Sequence, residues 1–257
     1  MSPSEQKTWP TRKRESFTSE RTWCRLHART TGKPDLDLLM NRNYLFTALY
    51  AWGKTIDTEQ MVGVTSRSPL NYVSAAYWDR DAMLWSFPAL LDIDPVLARE
   101  ALDSALIIQL RNTGIHSRFI DGVVLEDGFQ LDEAVGLILA EAAYVKSTND
   151  DAFLLSHRTA LLLLRDHLMA RLDPETGLYS TLQDSEDEYS KQPFLTYDNV
   201  LTWRALQDLA ALLGRSERPS RRARDDPTRR SAAEGHSATL CLRQGSRRFR
   251  HNFCVRD

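Results

Sequence analysis

The stretch LDEAVGLILAEAAYV (131–145), the dipeptide Asn149-Asp150 and then FLLSHRTALLLLRDHLMARL (153–172) decide how this chain is read. Both apolar runs carry residues at three- and four-residue spacing, the period of an amphipathic helix. Asn149-Asp150 separates the two, and Asp173-Pro174-Glu175-Thr176-Gly177 supplies strong turn chemistry after the second. The pair therefore reads as a helical hairpin. Working outward toward the C-terminus, a loop to Thr196 leads to a helix over Asp198–Leu213, with Gly214 placed as its closing C′ residue.

Toward the N-terminus, Asn112–Phe129 reads as a Gly-, Asp- and Glu-rich loop. Before it, Asp94 as cap and Pro95 as first helical residue open a helix over Val96–Leu110. A helix over Asp79–Leu91 precedes that, approached by a short extended Tyr72–Tyr77 and a loop over Lys54–Ser68. The spacing of Leu36, Leu39, Met40, Tyr44, Leu45, Ala48 and Leu49 predicts the first helix, from Asp35 to about Trp52. Six helices in three pairs make the fold class all-α. The connections after helices one, three and five are long and rich in Trp, Tyr, Asp and Glu, and in a ring of hairpins they share one face, where a cleft forms.

Net charge near neutrality hides an asymmetry. Residues 1–33 carry +5, 34–214 carry −14 and 215–257 carry +7. The acidic middle excludes nucleic acid as the ligand of the folded part and suits neutral sugars, whose hydroxyls donate to carboxylates. Three organisational units follow: an irregular lead (1–33), a helical domain (34–214) and a tail (215–257). The tail holds twelve Arg and no Lys. Either translation in a shifted frame of a GC-rich gene or a genuine RNA-binding or disordered basic arm accounts for it. Cys24, Cys241 and Cys254 lack zinc-ligand spacing and read as free thiols, so no metal is expected. No apolar run approaches 18 residues and no secretory signal opens the chain, which points to the cytoplasm and away from membranes. His157 and His167 lie in a helix without a carboxylate partner at ligand spacing, and neither a phosphate loop nor a G-x-S-x-G elbow is present.

Three clusters carry chemistry. Tyr77-Trp78-Asp79-Arg80-Asp81 places aromatic plates beside charges able to grip hydroxyls, or else a capping Asp with an Arg partner. Glu126-Asp127-Gly128-Phe129-Gln130-Leu131-Asp132-Glu133 stands where a loop enters helix four, with part of its charge explained by the helix dipole. Gln183-Asp184-Ser185-Glu186-Asp187-Glu188 crowds carboxylates, which raises the pKa of at least one and suits a general acid; a solvated acidic loop is the plainer account.

In order and spacing, Trp78-Asp79-Arg80-Asp81, Phe129-Gln130-Leu131-Asp132-Glu133, Thr176-Gly177-Leu178-Tyr179 and Leu195-Thr196-Tyr197-Asp198-Asn199-Val200-Leu201-Thr202-Trp203-Arg204-Ala205-Leu206 resemble the six-hairpin, (α/α)6-toroid glycosidases. They are most like the glucoamylase-like and amylo-alpha-1,6-glucosidase (glycogen-debranching) branch, over residues 35–214. The resemblance implies a partial toroid of about three hairpins of six. It also implies hydrolysis of α-linked glucosides by two carboxylates without a cofactor. The general acid is implied to lie after the fifth helix, at Asp187 or Glu186. Asp79, Arg80, Gln130 and Asp132 hold the non-reducing sugar in that layout, and Tyr77 and Trp78 stack on it. The base is implied after an eleventh helix, outside the six read here, so a truncated product with weak or absent activity is expected. Such a product exposes apolar faces for self-association. A non-catalytic carbohydrate-binding module and a helical scaffold are the alternatives.

Overall fold

A computed structural model describes residues 21–64 and 76–217 of the 257-residue chain. Residues 1–20 of the lead, the Tyr72 end of the predicted extended approach, Cys241, Cys254 and the tail from 218 lie outside the described residues.

The described chain is rich in helix, and each predicted helix is present with altered ends. Residues 21–27 form α1 where an irregular lead was expected. Trp23 donates to Asp94 at 3.1 Å and His27 stands 3.4 Å from the same carboxylate, so this segment folds against the chain at Asp94. α2 spans Pro34–Tyr50 and buries no residue fully. A widened, π-helical turn over Arg80–Ser86 runs into α3 (Phe87–Ile93), and α4 (Pro95–Ser104) continues through a second such turn, Ala105–Gln109, into a short tight turn, Leu110–Asn112. α5 spans Leu131–Thr148 and α8 spans Thr196–Glu217. Helix α8 begins two residues before Asp198 and passes through Gly214, which therefore does not close it.

The predicted fifth helix divides at His157 into α6 (Asp151–Ser156) and α7 (Arg158–Met169). His157 leaves helical geometry, packs its ring 4.3 Å from Phe153 and places Nε2 3.0 Å from Asp103. Asn149-Asp150 works as a two-part boundary. Asn149 takes the left-handed conformation (φ 56°) that ends α5, and Asp150 accepts from Phe153 N at 2.9 Å to cap α6.

The all-α expectation is corrected by two small antiparallel sheets. β1 (Trp52–Lys54) pairs with β2 (Met61–Gly63), and β3 (Ile115–Arg118) with β4 (Val124–Phe129). The second occupies the supposed loop after helix three. Phe119 N bonds Val123 O and Gly122 N bonds Phe119 O around Asp121-Gly122, with Gly122 at φ 79°. Tyr77 extends this sheet by exchanging backbone hydrogen bonds with Arg118.

α5 is the centre of the core. It packs against the Arg80–Ser86 turn, α3, α4, α7 and α8. Leu131, Val135, Leu137, Ile138 and Val145 are all but sealed from solvent, joined by Phe87, Leu102, Phe153 and Leu161. Gly136 permits a close approach, since a Cβ there would lie 3.1 Å from the Asp79 backbone oxygen. Large apolar side chains stay exposed on α2 (Leu38, Leu39, Leu49) and α8 (Val200, Trp203). Among the described residues no helix is long and apolar enough to cross a membrane.

One core position is electrostatically uneasy. Glu141 of α5 is fully buried and neither carboxylate oxygen has a hydrogen-bond partner among the described residues. Burial pushes its pKa well up. A carboxyl raised in the folded state contributes its full stability below its unfolded pKa and loses it as pH rises toward the folded value. Glu141→Leu is accordingly expected to stabilise the fold by about 1–3 kcal/mol at pH 8 and by less at pH 4, as read from urea unfolding at both pH values.

Candidate functional site

Three helix beginnings meet at one place: the Arg80–Ser86 turn, α5 and α8. The hinge of this meeting is Arg80, which is almost completely buried. Its Nη1 bonds both oxygens of Asp132, at 3.3 and 3.2 Å, and its Nη2 bonds Asp187 Oδ1 at 2.6 Å. Asp81 stands 3.9 Å from Nε, and the exposed Trp85 ring stacks on the guanidinium at 5.5 Å. Burial works against the charge of Arg80, but Glu133, Asp132 and Asp187 together hold its pKa above the ordinary range.

A second buried arginine braces the floor. Arg118 of β3 places Nη2 2.7 Å from Asp79 Oδ2, which also accepts from Thr113 Oγ1 at 3.0 Å and Gly114 N at 3.3 Å. Glu133 lies between the two arginines, 3.9 Å from Arg80 Nη1 and 3.9 Å from Arg118 Nη2. Burial and the Asp79 charge push Glu133 well up, against the pull of both arginines. Arg118 also covers the Tyr77 ring at 5.0 Å.

The acidic loop reaches this centre through a backbone seam. Leu182 N and Gln183 N both bond Phe129 O at 3.0 Å, and Leu131 N bonds Thr181 Oγ1 at 3.1 Å. Asp184 then folds the turn back on itself, its Oδ1 accepting from Glu186 N at 2.9 Å and Glu188 N at 3.2 Å. Asp187 sits in the left-handed region at φ 69°, an uncommon conformation for a residue other than glycine. That conformation directs its side chain inward, where Gln130 Nε2 donates at 2.8 Å beside Arg80, and His116 Nδ1 lies 3.8 Å away. Gln130 also donates to Asp184 O at 2.7 Å, and Gln183 donates to Asp187 O at 3.1 Å.

Of the residues singled out from sequence, Arg80, Gln130, Asp132 and Asp187 converge. Glu186 does not join them: it is exposed, and its side chain takes no hydrogen bond among the described residues. Asp79 and Tyr77 lie in the floor, Asp79 clamped by Arg118 and Tyr77 buried under it, so neither offers a free face to a ligand. Trp78 is mostly buried, edge-on to His116 at 6.0 Å, with Nε1 unpaired among the described residues.

Sequence reasoning missed Trp85 and His116, and it quoted Asp81, Gln183 and Asp198 within its motifs without giving them a role. Adjacency was the signal for Asp81, Trp85 and Gln183, each within five residues of a chosen position, and for His116 on the strand that pairs with Tyr77, whereas Asp198 was flagged only by its motif. His116 Nε2 is 3.3 Å from Glu126, which also accepts from Ser117 Oγ at 2.8 Å. Burial raises Asp81 and Asp132, with Arg80 opposing in both cases. Along the start of α8, Leu178, Phe194, Leu195, Val200 and Trp203 line an apolar groove of about 300 Å³. Among the described residues no three candidate ligands are grouped to hold a metal ion. The site thus holds a fixed guanidinium, the exposed Trp85 ring and several buried hydrogen-bonding atoms without a partner among the described residues, including Gln130 Oε1, His116 Nδ1 and Trp78 Nε1.

Two substitutions probe the scaffold. Arg118→Met strands Asp79 and Glu133 and is expected to cost about 3–5 kcal/mol in denaturant unfolding. Gly128, at φ 135°, would carry a Cβ 1.8 Å from Gln183 Oε1. Gly128→Ala is expected to displace Gln183, free the Asp184–Glu188 turn and raise its amide exchange while α7 keeps its protection. No protein-family model, curated protein or solved structure matches this chain, so the chemistry of the site rests on its own residues.

Proposed function

We propose that the chain is a carbohydrate-active protein of the glycoside hydrolase class, acting on α-linked glucosides. In this reading α2 with the helix formed by the Arg80–Ser86 turn and α3, α4 with α5, and α6–α7 with α8 serve as three hairpins of an (α/α)6-type arc. The observation that carries the reading is the meeting of Arg80, Gln130 and Asp187 at the helix beginnings. There a half-exposed carboxyl is fixed through one oxygen beside unpaired hydrogen-bonding groups. Oδ1 of Asp187 accepts from Arg80 and Gln130, and Oδ2 makes no hydrogen bond among the described residues. In this reading Asp187 takes up a proton from solvent, and its free oxygen passes that proton to the glycosidic oxygen as the bond to the anomeric carbon breaks and water adds there, releasing its own proton to solvent. Asp132 and Gln130 receive sugar hydroxyls, Trp85 and Trp78 meet the ring, and the apolar groove beside α8 takes the leaving group.

One observation favours a second reading, binding without cleavage. The two donors on Asp187 Oδ1 also serve as a clamp that orders the loop, and inversion needs a second carboxylate on the opposite face of the ring. Self-association through the apolar faces of α2 and α8 belongs to the same proposal, and light scattering across a dilution series tests it.

Maltose, isomaltose and an aryl α-glucoside are the substrates to assay, alongside maltose calorimetry. Asp187→Asn is expected to lower kcat about 10²–10⁴-fold. Glu186→Gln leaves kcat within about twofold, a surface change away from the reacting groups. Maltose binding without turnover supports the binding module, and a folded chain that neither binds nor cleaves overturns both readings.

A further inference from the structure

Asp198 is the site residue whose state the described contacts leave unexplained. It lies in the first turn of α8, is 1% exposed, and neither carboxylate oxygen has a hydrogen-bond partner among the described residues. Capping does not account for it. Asp94 and Asp150 cap their helices by accepting backbone N–H groups, at 3.1 Å from Val96 and Leu97 and at 2.9 Å from Phe153. Asp198 accepts none, and α8 has already begun at Thr196. Nor does an ion pair account for it. Arg80 is the cation acting on it, and both terminal nitrogens of Arg80 are committed to Asp132 and Asp187.

The charged and titratable groups acting on Asp198 come from every side of the site. They are Asp132 on α5, Arg80 on the π-helical turn, Asp184 on the acidic loop and Tyr197 beside it on α8. Asp198 therefore belongs to the same cluster as the Arg80 hub. Gln130 Oε1 of the same hub is also fully buried and has no hydrogen-bond partner among the described residues. A buried carboxyl surrounded by more acid than base is tolerated as a neutral O–H, and an O–H without a protein acceptor is available to a ligand.

We propose that Asp198 is a direct ligand-binding residue of this site, donating a hydrogen bond from its carboxyl O–H to a hydroxyl oxygen of the bound glycosyl unit. The inference rests on the carbohydrate reading above and adds to it a residue and a proton requirement. The electrostatics agree: burial, with Asp132 and Asp184 adding to it and Arg80 opposing, pushes Asp198 up to about 7. The O–H form is present below that pH and is lost as pH rises through it. Sugar binding seals the carboxyl further and takes up a proton at higher pH, whereas a carboxylate that accepted from the sugar would release one.

Calorimetry of the full chain with maltose at pH 6 and pH 8 tests this. The wild-type dissociation constant is expected to rise about tenfold between the two, the change in the neutral fraction of a group titrating midway. Asp198→Asn keeps a neutral N–H donor at every pH and is expected to bind with a flat profile, near the wild-type value at pH 6. Asp198→Ala is expected to bind weakly at both. Heats measured in two buffers of different ionisation enthalpy give proton uptake by the wild type at pH 8, which needs no variant to fold. Zero uptake or proton release overturns the inference, as does a wild-type pH profile shared by Asp198→Asn. Absence of maltose binding by the folded wild type at both pH values overturns the carbohydrate reading itself, and this inference with it.

Discussion

The Arg80 guanidinium is the interaction on which the site and its surroundings depend. It joins an element that begins at Arg80, the first turn of α5 through Asp132, and a loop some hundred residues later in the chain through Asp187. An acidic residue in the first turn of a helix gains about 0.3–1 kcal/mol from the helix dipole. That is far too little to bury Asp132 and Glu133 unaided, since burying an unpaired charge costs several kcal/mol. The two arginines make the burial possible, Arg80 above and Arg118 below. Removing either is thus a different kind of change from trimming a surface charge, because it leaves acids sealed against water without a counter-charge.

Even so, the acids outnumber the bases. Asp79, Asp81, Asp132, Glu133, Asp187 and Asp198 face Arg80 and Arg118, with His116 at the edge. Part of that excess is relieved by proton uptake, since Glu133 and Asp198 are both raised, burial being the first cause of each. A site arranged this way keeps neutral carboxyl groups at pH values where free carboxyls are ionised. Those groups donate hydrogen bonds as well as accept them, which suits a ligand whose hydroxyls do both.

The helices were legible in the sequence because they obey local rules. Asn149-Asp150 and Asp94-Pro95 end and begin helices by chemistry confined to a few residues, and the structure uses them as read. The β3–β4 hairpin was missed although its signal was present: Asp121-Gly122 sits between Ile115–Ile120 and Val123–Leu125, and the surrounding Gly and acid made the segment look like a loop. The break at His157 had no local signal, because it follows from packing on Phe153 and an ion contact with Asp103, about fifty residues upstream. The site was half legible. Motif proximity found Arg80, Gln130, Asp132 and Asp187, whereas the separation of Asp79 and Tyr77 into the floor depends on Arg118, which no local pattern ties to them.

The acidic loop shows why composition alone misleads about such a centre. Asp184, Glu186, Asp187 and Glu188 look equivalent as letters, and mutual repulsion is the only effect that a count can assign to them. The fold makes them unequal through backbone geometry. Asp184 spends its carboxylate on the amides of Glu186 and Glu188, which tightens the turn and forces the next position through a left-handed step. That step falls on Asp187 and turns its carboxyl toward Arg80 and Gln130, while Glu186 is left facing solvent. The selection of one acid from four is therefore made by an Asp-nucleated turn and completed by a distant arginine. Asp198, which lies outside the loop altogether, is drawn into the same centre because α8 begins against α5.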